Sequence, residues 1–66
     1  MDHISLEQFL NYMWYSQRIK IRNEHKNILF DGNNYSFSQN NDLKHLNDRW
    51  VRKYGTINNV MIIDII

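Results

Sequence analysis

Residues 18–22 read Arg18-Ile19-Lys20-Ile21-Arg22, three cations spaced two apart with isoleucines between them. In an extended strand alternate side chains share a face, so Arg18, Lys20 and Arg22 form a basic ladder opposite Ile19 and Ile21. Two chemistries suit such a ladder. With aromatic rings beside it, it grips single-stranded nucleic acid, the cations meeting phosphates and the rings stacking on bases. Its arginines also serve as anchors in a protein interface, where Arg, Tyr and Trp carry much of the energy. Tyr12 and Tyr15 lie off the apolar stripe of the preceding helix, and Arg52 lies in a second basic segment beside Arg49, Trp50 and Lys53. Tyr12, Tyr15, Arg18, Lys20, Arg22 and Arg52 are therefore the candidate binding residues. The plainer reading is a solvated strand face whose charges pair with Glu24 or Asp48. A net charge of +1 favours that reading over nucleic-acid binding.

Catalytic chemistry is poorly provided for. There is no cysteine, and the three histidines, His3, His25 and His45, have no ligand set at metal-binding spacing. Only His45, between Asp42 and Asp48, has acids close by. Ser5, Ser16, Ser36 and Ser38 fall at caps, breaks and turns. Gly32 and Gly55, the only glycines, make no phosphate loop. The carboxylates are dispersed. We expect no enzyme, metal or cofactor, an enzyme surviving only if His45 with Asp42 or Asp48 lines a real cleft.

The elements that must hold these residues follow from local pattern. Ser5 with Gln8 matches a capping box, and Ile4 with Phe9 a hydrophobic staple. Leu6, Phe9, Leu10, Met13 and Trp14 repeat at helical period, so the pattern predicts a helix over residues 6–15. Residues 18–22 form a strand, residues 23–27 a turn, and Ile28-Leu29-Phe30 the returning strand. Asp31-Gly32-Asn33-Asn34 signals another turn, after which Tyr35-Ser36-Phe37 either continue the strand past a bulge or begin a short new one. Leu43 and Leu46 share a helical face, with the helix ending near Asp48. Residues 51–57 and 60–66 then make a hairpin about Asn58-Asn59, a pair that tolerates the positive φ of a type I′ turn. That turn puts Ile57 opposite Val60, Gly55 opposite Ile62, Tyr54 opposite Ile63 and Lys53 opposite Asp64. The order helix-strand-strand-helix-strand-strand specifies an α+β domain with a mostly antiparallel sheet.

A chain of 66 residues has room for one core, spanning 1–66 as one domain, and small domains usually need reinforcement. Without cysteine the remaining route is association, so a homodimer or a borrowed partner surface is expected. The last strand, Val60-Met61-Ile62-Ile63-Asp64-Ile65-Ile66, is apolar on both faces and is expected to be covered on both. Ten Asn and nine Ile, with no Ala or Pro, suit an AT-rich gene. The first residues, Met1-Asp2-His3, lack the basic start of an export signal, and no apolar run reaches the roughly 20 residues of a membrane span. A cytoplasmic protein with no membrane partner is expected.

Phe9-Leu10-Asn11-Tyr12-Met13-Trp14, then Arg18-Ile19-Lys20-Ile21, then Ile28-Leu29-Phe30-Asp31-Gly32, and Asn58 through Ile65 together cover most of the chain. This layout resembles the short accessory proteins of phages and prophages from AT-rich Gram-positive bacteria. Residues 33–37 and the basic segment 49–53 depart from it. The resemblance implies a mobile-element protein with no catalytic motif, of a size typical of inhibitors of host defence. The expected function is therefore to bind and inhibit a bacterial host-defence protein, for example a CRISPR effector in the anti-CRISPR manner, inside the host cell. The alternative is a small nucleic-acid or nucleotide binder using the basic strand face.

Overall fold

In the computed structural model, which describes residues 3–66, two β-hairpins lie side by side and a layer of short helices covers one face of the sheet they form. Met1 and Asp2, part of the stretch read above for an export signal, lie outside the described residues. The first hairpin is β1 (Arg18–Arg22) and β2 (Ile28–Asn33); the second is β3 (Val51–Ile57) and β4 (Val60–Ile65). Their order is β2-β1-β4-β3. Both hairpins are antiparallel, and the central seam between β1 and β4 is parallel, from Arg18↔Val60 to Arg22↔Asp64. The α+β class and the mostly antiparallel sheet follow as expected. The parallel seam does not appear in the local pattern.

The final hairpin keeps its expected register. Asn58 and Asn59 take φ of 52° and 66°, and Ile57↔Val60, Gly55↔Ile62, Tyr54↔Ile63 and Lys53↔Asp64 are partners. A bulge at Arg52 ends the regular ladder, and Ile4 and Leu6 then pair with the chain around Arg49–Val51.

The first helix departs from expectation. Its capping box forms, Ser5 Oγ accepting from the Gln8 N–H and Gln8 Oε1 from the Ser5 N–H. However, α1 spans only Leu6–Leu10. The Tyr12 and Met13 N–H groups then bond three residues back, to Phe9 and Leu10, which tightens the chain into a terminating turn. The cause lies elsewhere in sequence. The buried Asn34 side chain donates to the carbonyls of Leu10 (3.0 Å), Met13 (3.3 Å) and Trp14 (3.3 Å), so those acceptors do not need a continuing helix.

Residues 33–38 are a second correction. β2 runs on to Asn33, whose side chain caps a helix, α2 (Asn34–Ser38), by accepting from the Ser36 N–H at 2.7 Å. Neither a turn at 31–34 nor a strand at 35–37 forms, because that cap and the burial of Phe37 favour a helical turn. A 3-10 helix, Asn41–Asp48, follows, capped by Asn40 and ending where expected.

The core consists of Leu6, Leu10, Phe37 and Leu46 from the helical layer against Ile19, Ile21, Ile63 and Ile65 from the sheet. Gly32 belongs to this side too: the Phe30 ring lies over it, and a Cβ there would come within 2.9 Å of Phe30 Cζ. All helices lie on one face. Of the two-sided cover expected for the last strand, the described residues supply one side. Met61, Ile63 and Ile65 face the helices, whereas Val60, Ile62 and Asp64 face the other way with no layer upon them.

Candidate functional site

The uncovered sheet face carries the basic ladder. Strand parity brings Arg18, Lys20 and Arg22 beside Val60, Ile62 and Asp64 of β4, and these beside Ile57, Gly55 and Lys53 of β3. The result is a shallow groove of about 600 Å³, aliphatic toward β3 and cationic toward β1. Among the described residues the strands of this face carry two carboxylates, Asp64 in the groove and Asp31 beside it on β2, and both are taken by arginines. Asp64 lies opposite Lys53 in register, yet it accepts a bidentate pair from Arg22, Nε at 2.7 Å and Nη2 at 3.0 Å. Asp31 lies opposite Lys20, yet it bonds Arg18 diagonally at 3.3 Å. Lys20 and Lys53 are thereby left with no carboxylate partner among the described residues.

The Arg22–Asp64 fork is nearly closed to water on the acid's side, Asp64 being 3% exposed. The Arg22 hydrogen bonds hold the Asp64 carboxyl below its usual range, with burial opposing and the charges of Arg22, Lys26 and Lys53 assisting. The same bonds raise the Arg22 guanidinium. Arg22 is therefore committed within the molecule, to Asp64 rather than to Glu24 or Asp48, and offers little to a partner. Arg18 is half-committed, with an exposed ion pair of small energy. Arg52, at the bulge, does not line the groove.

The aromatic candidates stand apart from this face. Tyr12, Trp14 and Tyr15 are 86%, 82% and 71% exposed, on the loop between α1 and β1. Trp14, read from the sequence as part of the helical stripe, instead points to water because the helix stops before it. The loop backbone is held firmly. Besides the three Asn34 bonds, the Tyr35 N–H donates to the Tyr15 carbonyl (2.9 Å), the Asn34 N–H to Gln17 (2.9 Å) and the Gln17 N–H to Trp14 (3.1 Å). The Tyr15 and Tyr35 rings meet edge-on at 5.9 Å. Beside the loop, the helical layer leaves a hollow of about 810 Å³ lined in part by Leu10, Met13, Trp14 and Phe37.

The six residues joined by the sequence reading thus divide between two surfaces: Tyr12 and Tyr15 on the loop, and Arg18, Lys20 and Arg22 on the sheet, with Arg52 on neither. Tyr54 is the one aromatic lining the groove, and its ring packs against Phe9 at 4.7 Å. Local pattern placed Lys53 in the second basic segment and Trp14 in the helical stripe, and gave no role at a site to Asn34 or Gly55. The one signal for the groove was the apolar run Val60–Ile66, too rich for a strand with one dry face. His45 is exposed on the 3-10 helix and forms no ion pair with Asp42 or Asp48. No three potential ligands cluster at metal-binding distance among the described residues, and no helix among them is long and apolar enough to cross a membrane. Compared with protein-family models, curated proteins and solved structures, the chain matches none.

Proposed function

We propose that this chain acts without catalysis, by binding another protein through the loop that carries Tyr12, Trp14 and Tyr15. The observation that carries the reading is the contrast between that loop's backbone and its side chains. Three large aromatics face water on a backbone fixed by a buried asparagine. Exposed aromatics are costly to solubility and contribute most at interface centres, where Tyr and Trp dominate. A backbone ordered in advance lowers the entropy lost on association. The target class follows from the resemblance to phage and prophage accessory proteins. It is a bacterial host-defence protein, such as a CRISPR effector, met in the host cytoplasm and inhibited by having a working surface covered.

The test is retention of bacterial host proteins, purified CRISPR effectors included, on the immobilised chain and on a Tyr12→Ser/Trp14→Ser variant. A defence protein held by the native chain and released by the variant, with the thermal unfolding of the two chains alike, is the expected result. Retention of none, or equal retention by both, overturns the reading.

A further inference from the structure

The open sheet face has a chemistry of its own, separate from the aromatic loop. We propose that it is a docking groove for an acidic, amphipathic segment of a partner protein, with carboxylates beside aliphatic side chains. The inference stands whether or not the loop binds.

Apolarity is the first observation. Ile57, Val60 and Ile62 form a continuous aliphatic patch on β3 and β4, with Ile57 63% exposed. Val60 and Ile62 belong to the strand whose sequence is apolar on both faces, and its second face has no cover among the described residues. Beside them Gly55 leaves a hollow: a Cβ built there meets nothing within 4 Å. A glycine inside a strand without a turn or a positive φ marks a place where another group can come close.

Charge decides what kind of group. Lys20 and Lys53 flank the patch diagonally from β1 and β3, two strand spacings across and two residues along or about 12 Å apart, and both acids that could neutralise them are bonded to arginines. An occupant therefore needs anionic groups over the lysines and aliphatic ones between them. A second copy fits badly, since among the described residues the face carries five cations (Arg18, Lys20, Arg22, Lys26, Lys53) against two carboxylates and would meet its own charge. Single-stranded nucleic acid lacks its stacking platform here, because the one aromatic beside the groove, Tyr54, is packed on Phe9. A helix of about 10 Å diameter fits across four strands that span roughly 14 Å.

The experiment follows backbone amide shifts of the isotope-labelled chain on adding four probes. These are an amphipathic peptide of Glu and Leu, its Lys and Leu counterpart, oligothymidylate, and vesicles of phosphatidylglycerol. The Glu/Leu peptide is expected to bind and to move the amides of Lys20, Gly55 and Ile62, and the Lys/Leu peptide is expected not to. Lys20→Glu/Lys53→Glu should weaken that binding about tenfold or more, with Lys20→Gln/Lys53→Gln as the milder control if reversal disturbs folding. Gly55→Val should fold normally and also weaken it, by filling the hollow. Tyr12→Ser/Trp14→Ser should leave it unchanged, which separates failure here from failure of the loop reading. Absence of binding by the acidic peptide, equal binding of both peptides, indifference to the lysine and glycine substitutions, or preference for oligothymidylate or vesicles would each overturn the proposal.

Discussion

The two faces of the central strands differ in everything except their backbone. Toward the helices, Ile19, Ile21, Ile63 and Ile65 are each 0% exposed. One residue along in each strand, Lys20, Val60 and Ile62 remain partly open to water. Period-two alternation states which residues share a face, and it does so correctly here. Whether anything covers that face depends on where the helices go, which alternation does not contain. Isoleucines adjacent in sequence can thus serve the core and a binding surface respectively.

That contrast can be tested first through Ile62 and Ile63. Ile63→Ala should cost about 2–5 kcal/mol through lost burial and a residual cavity, a large share of the roughly 5–15 kcal/mol typical of small domains. Ile62→Ala, on the open face, should cost about 1 kcal/mol or less. Urea unfolding of both variants measures the difference, and equal losses would mean that the open face is covered after all. Next in size is Asn34→Ala, which removes three hydrogen bonds, leaves the Met13 carbonyl without a donor and should cost about 1–3 kcal/mol. Amide exchange at residues 14–17 should accelerate more than exchange in β4. Uniform acceleration would instead make Asn34 a general core residue. The smallest effect concerns the one polar residue of the sheet that is almost fully enclosed, Asp64. Its pKa is lower folded than unfolded, so its stabilising contribution is complete above the unfolded value near 4. That contribution should fade as pH falls through the folded value. Asp64→Asn should therefore flatten the acid limb of the stability profile, as read by urea unfolding across pH, and an unaltered limb would remove Asp64 from the account.

Much of this architecture was legible because its causes are local. The register of the last hairpin follows from two asparagines that accept positive φ, and the parity of Arg18, Lys20 and Arg22 follows from spacing alone. The end of α1 was not legible, because the side chain that ends it belongs to Asn34, on the far side of a hairpin. For the same reason Trp14 was read as core. Nor did any local signal indicate that β1 and β4 run parallel, since that contact joins residues 42 apart. The site shared this limit. The ladder was visible, but the diagonal choice of Asp31 by Arg18 and the capture of Asp64 by Arg22 depend on which strands become neighbours.

The parallel β1–β4 seam has a kinetic meaning as well. Two-stranded ribbons are marginal alone in water, so neither half of the chain is stable until the halves meet. Above the buried isoleucines, the Arg22–Asp64 fork and a bond from Gln17 Nε2 to the Asn59 carbonyl (3.0 Å) fasten opposite ends of that junction. The loop closed by this meeting sets the folding barrier, and a chain severed between residues 38 and 41 should assemble only as its two fragments find each other, at a rate that rises with their concentration.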